Sequence, residues 1–207
     1  LKNTVLLLSS LFFYGWGEPR YVIWMMLAIL MAYIFGLLIE RYQSVPKLAR
    51  LFLALSVSSS LLMLGYFKYA DFFIRNVNAV TGCPISLLNI TLPIGISFYT
   101  FQQISYGVDC YRKECKGYQF SDYLAYITFF PSISSGPIVY HSELIPQLQD
   151  PERKKVLFTH LGQGLYAFSL GLAKKVLIAD TLAKVVSVGY ANIPELNTFS
   201  TILVMLS

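Results

Sequence analysis

The sequence has little charge for its length. Asp, Glu, Lys and Arg make up 13% of its 207 residues, whereas soluble domains carry about 25%. Hydrophobic residues contribute 56%, and Phe, Trp and Tyr together contribute 15%. A water-facing surface cannot be built from so few charges, so a soluble globular fold is excluded. The composition is typical of an all-α membrane protein, in which Tyr and Trp favour the membrane–water interface.

Cysteine and histidine are also scarce, with three and two copies. Cys83, Cys110 and Cys115 form no Cys-x-x-Cys pair, so their spacing predicts neither a disulfide framework nor a metal site. Phosphate-binding and dinucleotide-binding motifs are lacking, and we expect no bound cofactor. The net charge of +5 is assigned to cytoplasmic loops rather than to a nucleic-acid partner.

Long uncharged runs predict one multi-pass membrane domain over residues 1–207. The run 21–39 would reach about 28 Å as a helix, enough to cross a bilayer. The first run lacks a signal-peptidase site, and the last one ends without a turn residue. We therefore expect a chain truncated at both ends. The candidate helices are 4–16, 21–39, 51–67, 92–113, 160–182 and 199–207.

The segment 123–139 is apolar but broken by Pro131, Gly136 and Pro137. A lipid-facing helix does not tolerate such a run, because its freed backbone groups need partners. The break either lines a wet substrate path or forms an interfacial turn. The loops 40–50 and 109–122 carry the larger positive charge, which predicts that they are cytoplasmic. The basic loop 140–160 lies on the same cytoplasmic side only if the broken segment is re-entrant.

Polar residues share one face of the helix predicted at 92–113, where Thr91 is the expected N-cap. Gln102, Tyr106 and Asp109 follow the spacing i, i+4, i+7. Asp109 and Arg112 either line the mouth of a pocket or form an interfacial ion pair. His141 and His160 are potential general bases, but neither belongs to a recognisable nucleophile motif. These residues alone do not choose between a transporter and an enzyme.

Four stretches in family order resemble the membrane-bound O-acyltransferase family, in its bacterial alginate O-acetylation branch. They are Ser10–Trp16, Leu92–Arg112, Phe129–Val139 and Gly171–Asp180. Ser134 and Ser135 stand where the family often has Ala, and Tyr140 replaces a usual basic residue. The small serines preserve close backbone packing, whereas Tyr140 weakens any claim of an anion contact.

The resemblance implies part of an acyltransferase in the bacterial inner membrane. Such an enzyme moves an acyl group, here acetyl, from cytoplasmic acetyl-CoA or an acyl carrier thioester to an extracytoplasmic polysaccharide. The implied partners are membrane lipid and a periplasmic or extracellular acetyltransferase. The family's catalytic histidine lies in a Trp-rich stretch that this sequence lacks, so no catalytic residue is assigned. The tunnel-lining candidates are Gln102, Tyr106, Asp109, Arg112, Ser135, Gly136, Pro137 and His141.

Two other functions stay open. A transporter or flippase subunit with a broken-helix substrate site would carry a second broken segment in an inverted repeat, and none is found. A non-catalytic membrane scaffold would have no polar helix face. The sequence following position 207 would discriminate between these functions and an acyltransferase.

Overall fold

The computed structural model describes residues 2–17, 19–115, 117–133, 136–151, 155, 157–192 and 197–206. These parts of the chain contain helices and no strand, as the all-α prediction requires. The chain has two compact units, Leu1–Lys154 and Lys155–Ser207, and the single membrane domain stays a prediction.

The first unit is built on four helices. They are α1 (Lys2–Gly17), α2 (Pro19–Arg41), α3 (Pro46–Thr81) and α4 (Ile96–Tyr111). Both α2 and α3 are long and apolar enough to cross a bilayer. Only 33% and 22% of their most apolar windows are buried. Their exposed surfaces are therefore hydrophobic, as expected of helices that face lipid.

Helix α3 is far longer than the predicted helix 51–67. It continues through Lys68, Asp71 and Arg75 and stops at Gly82, which adopts a left-handed conformation with φ 68°. The charges end the stretch that lipid can accommodate, but such residues are compatible with a helix. The stop comes instead from the glycine C-cap.

Helix α4 begins later than the sequence predicts. The expected N-cap at Thr91 is wrong, because the first helical residue is Ile96 and the N-cap is Gly95, with φ 70°. Proline restricts the residue before it to extended backbone, so Leu92 is kept out of the helix. A turn at Ile94 and Gly95 then leads into α4.

The predicted broken segment is short helices joined by irregular chain. Helix α5 is Phe120–Ile127 and α6 is Phe130–Ile133, after which the described chain runs without helix to α7 (His141–Gln149). Eight residues of α5 extend about 12 Å, well short of the ~30 Å hydrocarbon layer. Neither α5 nor α6 can cross a bilayer by itself.

The broken segment leaves one end of α4 and returns to it. At its tip, the backbone carbonyl of Ile133 lies directly against Gly95, at the start of α4. At its base, Tyr118 Oη lies 3.3 Å from His141 Nδ1, and His141 contacts Asp109 near the end of α4. The segment therefore runs along α4 and back, and its re-entry into a membrane stays a prediction.

The second unit contains a long helical stretch and a shorter helix. Helix α8 (Phe158–Ala173) passes through a π-helical turn (Lys174–Ala179) into α9 (Asp180–Ala191), and α10 is Thr198–Leu206. The stretch therefore extends well past the predicted end at residue 182. Lys175 Nζ donates to Asp180 Oδ2 at 2.7 Å, a pair five residues apart that fits the wider π-helical turn.

Candidate functional site

Polar side chains cluster where α2 and α4 end and α7 begins, in a unit whose other contacts are mostly apolar. The cluster supplies carboxylates, thiols, a phenol and an imidazole, from four parts of the chain. Its members are Glu40, Asp109, Cys110, Cys115, Tyr118 and His141. Such groups are costly to bury unless they pair with each other.

Asp109 and His141 form the central pair. His141 Nε2 lies 2.9 Å from Asp109 Oδ2, and the imidazole is 1% exposed. A neutral imidazole that donates from Nε2 has an acceptor at Nδ1. The Tyr118 hydroxyl, 3.3 Å from Nδ1, is placed to donate to it. Both ring nitrogens of His141 therefore have partners, and the ring is held in a single orientation.

Cys115 reaches the cluster through a tight turn at the end of α4. Lys113 N–H donates to the carbonyl of Cys110, and Glu114 N–H donates to that of Asp109. These two bonds, with Lys113 at φ 68°, form a Schellman motif. The motif reverses the chain, so that Cys115 Sγ comes to 2.7 Å from Cys110 Sγ.

Glu40 joins the cluster from the end of α2. The Cys110 thiol donates to Glu40 Oε1 at 3.7 Å. Nearby, Gln43 Nε2 donates to the carbonyl of Cys110 at 3.0 Å, and Tyr33 Oη donates to that of Tyr118 at 2.9 Å. These bonds bring together the loops that follow α2 and α4, which the charge pattern assigns to one side of the membrane.

Aromatic rings surround His141. Tyr106 lies edge-to-face with the imidazole, with the ring centroids 5.5 Å apart, and Tyr126 lies 6.4 Å away. Tyr106 also packs on Tyr123 at 4.5 Å. Tyr126 Oη donates to the carbonyl of Val139, which ties α5 to the returning chain. The rings exclude water from the apolar side of the cluster.

Three buried polar groups in or near this layer have no hydrogen-bond partner in the described part of the chain. They are Gln103 Nε2 and Tyr106 Oη on α4 and Tyr123 Oη on α5, and all three side chains are almost fully buried. An unpaired buried group costs about 1–3 kcal/mol. A water molecule or a polar substrate that pairs with them would offset that cost.

The cluster shifts the pKa values of its titratable groups. Burial acts to lower the pKa of His141, but its contacts with Cys115 and Asp109 outweigh burial and raise it. The neighbouring Cys110 thiol lowers the pKa of Cys115; burial opposes this, and His141 adds to the lowering. Burial raises the pKa of Tyr118 and keeps its hydroxyl protonated. Part of both shifts has one cause, because a protonated imidazole and a thiolate attract each other.

A polar cleft opens beside the cluster. It has a volume of about 700 Å³ and is lined by Asn3, Gly117, Tyr118, Gln119, Asp122, Pro146 and Gln149. Tyr118 links the cleft to His141 through its hydroxyl. The cleft thus gives solvent a route to the edge of the polar cluster.

The structure brings some of the sequence-predicted residues together and separates others. Tyr106, Asp109 and His141 meet. Gln102 is buried one helical turn before Tyr106, whereas Arg112 is exposed. Asp109 pairs with His141, and no ion pair joins it to Arg112 among the described residues. The interfacial ion-pair interpretation is therefore wrong.

The remaining candidates lie in and near the broken segment. Gly136 packs so closely on Ser132 that an added Cβ would lie 2.5 Å from its Cα. Pro137 is exposed, and Ser135 falls outside the described residues. His160 is exposed in the second unit. Whether these residues line a tunnel stays a prediction.

Four members of the cluster, Glu40, Cys110, Cys115 and Tyr118, have no direct sign in the sequence. Glu40 lies 70 positions before Cys110 in the chain, and no local pattern connects them. Tyr118 is one of 15 tyrosines. The two thiols are five residues apart at a helix end, which a Schellman turn can fold together, but no glycine marks the left-handed position. Long-range packing decides this part of the site.

Comparisons with known proteins agree on one family. The model of MBOAT, the membrane-bound O-acyltransferase family, matches residues 10–206. A peptidoglycan O-acetyltransferase of Helicobacter pylori is 33% identical over 89% of this chain and 40% of its own length. A probable alginate O-acetylase AlgI of Pseudomonas aeruginosa is 35% identical over 88% of this chain and 35% of its own. The chain thus spans less than half of these relatives. No solved structure matches it.

Proposed function

Since the chain belongs to the membrane-bound O-acyltransferase family, we propose that it forms part of a multi-pass O-acetyltransferase of the bacterial inner membrane. The enzyme would move an acetyl group from a cytoplasmic thioester, acetyl-CoA or an acyl carrier protein, to an extracytoplasmic polysaccharide. The observation that carries the proposal is the contact of Asp109 with His141, which places a polar network inside an apolar bundle. Burying polar and ionisable groups in a membrane protein costs free energy, so their presence points to a functional role.

The charges near the cluster support its assignment to the donor side. Arg41, Lys47 and Arg50 lie on or near the connection between α2 and α3. Arg50 Nε donates to Tyr111 Oη at the end of α4, 3.1 Å away. An excess of Lys and Arg marks cytoplasmic loops. A thioester donor made in the cytoplasm would therefore meet the bundle at the end that holds His141.

The mechanism rests on alignment of the two substrates. Donor and acceptor approach from opposite faces, and holding the reacting atoms in line supplies about 7–11 kcal/mol of a barrier in favourable cases. The helix α4 and the broken segment would form part of the tunnel wall. His141 is held by Asp109 and Tyr118, and these three side chains would make the donor entrance polar. No residue of this chain is proposed as the base that acts on the acceptor.

The relatives suggest the class of acceptor. They carry the names of alginate and peptidoglycan O-acetylating enzymes, and both of these substrates are polysaccharides. We propose a polysaccharide hydroxyl as the final acceptor here. An extracytoplasmic partner acetyltransferase would complete the transfer. The alternative of a transporter or flippase draws no support from the comparisons, since members of this family are acyltransferases.

The test uses the full-length protein in membranes of a strain that lacks its own copy. Inverted vesicles receive acetyl-labelled coenzyme A or an acetyl-labelled acyl carrier protein. The label is then followed into base-labile esters on the enclosed polysaccharide. We expect transfer with one of the two donors, at a rate that falls at least tenfold on His141→Ala substitution.

Right-side-out vesicles are the matched control, because their cytoplasmic face is sealed from the added donor. Equal transfer from both vesicle types would contradict a cytoplasmic donor. Lack of ester formation in any orientation, with the protein folded and present, would contradict the acyltransferase function itself. Ester analysis of the intact strain and of its deletion then identifies the polysaccharide.

A further inference from the structure

The described residues include one group of metal-ligating side chains, and the proposed function does not use it as such. Glu40, Cys110 and Cys115 each offer a ligand atom, and these atoms all lie within 4.8 Å of one another. Cys110 is buried, and the other two are partly buried. From this cluster we infer that the protein binds a zinc ion where α2 and α4 end.

The distances suit a tetrahedral zinc site. With Zn–S near 2.3 Å and Zn–N or Zn–O near 2.1 Å, a tetrahedral site separates S from N or O by about 3.6 Å. Cys110 Sγ lies 3.7 Å from Glu40 Oε1. This edge of the tetrahedron is therefore close to its metal-bound length.

The sulfur–sulfur edge has to open. Cys110 Sγ and Cys115 Sγ are 2.7 Å apart and both thiols are free, whereas two sulfurs on one zinc ion are about 3.8 Å apart. Cys115 lies in irregular chain after the Schellman turn and is only partly buried. A rotation about its χ1 provides this movement without displacing α4.

His141 lies beside the site and keeps its contact with Asp109. Its Nε2 is 3.9 Å from Cys115 Sγ, but it falls outside the set of ligand atoms that all lie within 4.8 Å of one another. A water molecule would complete the tetrahedron, as in zinc sites that keep one open position. The ion would then join α2, α4 and the chain that follows α4.

The ligand chemistry favours zinc over other ions. Two thiolates are soft ligands, which disfavour Mg²⁺ and Ca²⁺. Thiols at a cytoplasmic membrane face stay reduced, and a pair of cysteines there more often binds a metal than forms a disulfide. Zinc also draws protons off both thiols, so that two thiolates and the Glu40 carboxylate surround the dication.

The test measures metal in the full-length protein, purified in detergent through an affinity tag that does not use metal. Elemental analysis of the wild type is expected to give about one zinc per chain. The Cys110→Ser/Cys115→Ser double variant should lose it. Cys83→Ser is the matched control, because Cys83 is an exposed free thiol outside the cluster, and it should keep the zinc.

A second measurement protects the test against misfolding of the double variant. The wild type loaded with Co²⁺ should show thiolate-to-cobalt charge-transfer absorption. Glu40→Gln keeps both thiols, so it should retain this absorption but release the metal to a competing chelator at least tenfold more readily, the loss that even an outer-shell partner typically causes.

Several results would overturn the zinc site. One is a wild type that holds no zinc and takes up neither Zn²⁺ nor Co²⁺. Another is a zinc content that survives in the double variant. A third is a metal-free wild type whose thiol count rises by two on reduction, since Cys110 and Cys115 would then form a disulfide. None of these measurements depends on acyl transfer, so the zinc site and the proposed function fail separately.

Discussion

Asp109 Oδ2 and His141 Nε2 are 2.9 Å apart although 32 residues separate them in the chain. The pair joins the polar face of α4 to the first residue of α7, beyond the broken segment. It closes the loop formed by that segment at its base, while Gly95 and Ile133 meet at its tip. One polar contact and one backbone contact thus define both ends of the least regular part of the bundle.

Asp109→Asn is expected to reduce acetyl transfer about ten- to hundredfold, because a hydrogen bond to a charged group contributes roughly 1.5–3 kcal/mol. The measurement is the rate of ester formation in inverted vesicles at matched protein levels. His160→Ala serves as the control, since that histidine is exposed in the other unit. A loss of activity in the control, or an unchanged rate in Asp109→Asn, would count against a role for the pair.

Gly36→Ala is expected to destabilise the first unit by about 1–3 kcal/mol through overpacking. An added Cβ would lie 2.6 Å from Tyr106 Cε1, and that ring is fully buried. Gly65→Ala is the matched change, because nothing lies within 4 Å of its Cβ position on α3. Thermal unfolding in detergent should show a lower midpoint for Gly36→Ala and an equal or higher one for Gly65→Ala. Equal midpoints for the two variants would refute the close contact.

Gly95→Ala tests the tip of the broken segment. Gly95 and Gly82 both have positive φ, 70° and 68°, so alanine at either costs about 1–2 kcal/mol of backbone strain. Only at Gly95 would the new Cβ strike another part of the chain, the carbonyl of Ile133. Gly95→Ala should therefore lower the free energy of unfolding by about 1 kcal/mol or more beyond the loss caused by Gly82→Ala. A larger effect at Gly82 would contradict the contact between α4 and α6.

Lys113 occupies the left-handed position of the Schellman motif, with φ 68°. Lys113→Gly removes the strain of that conformation, whereas the greater entropy of glycine in the unfolded chain opposes the gain. The net stabilisation of the protein should be up to about 1 kcal/mol. Lys113→Ile places a β-branched side chain there and should destabilise it. In thermal unfolding, Lys113→Gly should have a higher midpoint than Lys113→Ile. The reverse order would show that the turn adopts another conformation.

The sequence predicts the framework of the first unit because hydrophobic runs are local signals. The run at 21–39 lies within α2, and Gly136 and Pro137 lie in non-helical chain as expected. Pro131, by contrast, is accommodated in the first turn of α6. Helix ends are harder to predict, as α3 shows. The charges at Lys68 and Asp71 mark the edge of an apolar run but do not stop a helix, and only the cap at Gly82 does so.

The site is less predictable than the framework because it depends on contacts across long stretches of chain. The spacing of Tyr106 and Asp109 gives their shared face, since helical periodicity fixes it. Nothing in the sequence pairs Glu40 with Cys110, or Tyr118 with His141. Both pairs arise only when α2, α4 and α7 meet at the same end of the bundle.

The closed path of the broken segment has a consequence for counting membrane crossings. A hydropathy count treats 123–139 as one more span and reverses the compartment of everything after it. Because the structure returns the chain to Asp109, we expect the segment to add no crossing to the count. A reporter inserted at Asp150 should then share its compartment with one inserted at Ser44. Fluorescent and phosphatase fusions at those two sites should give matching signals.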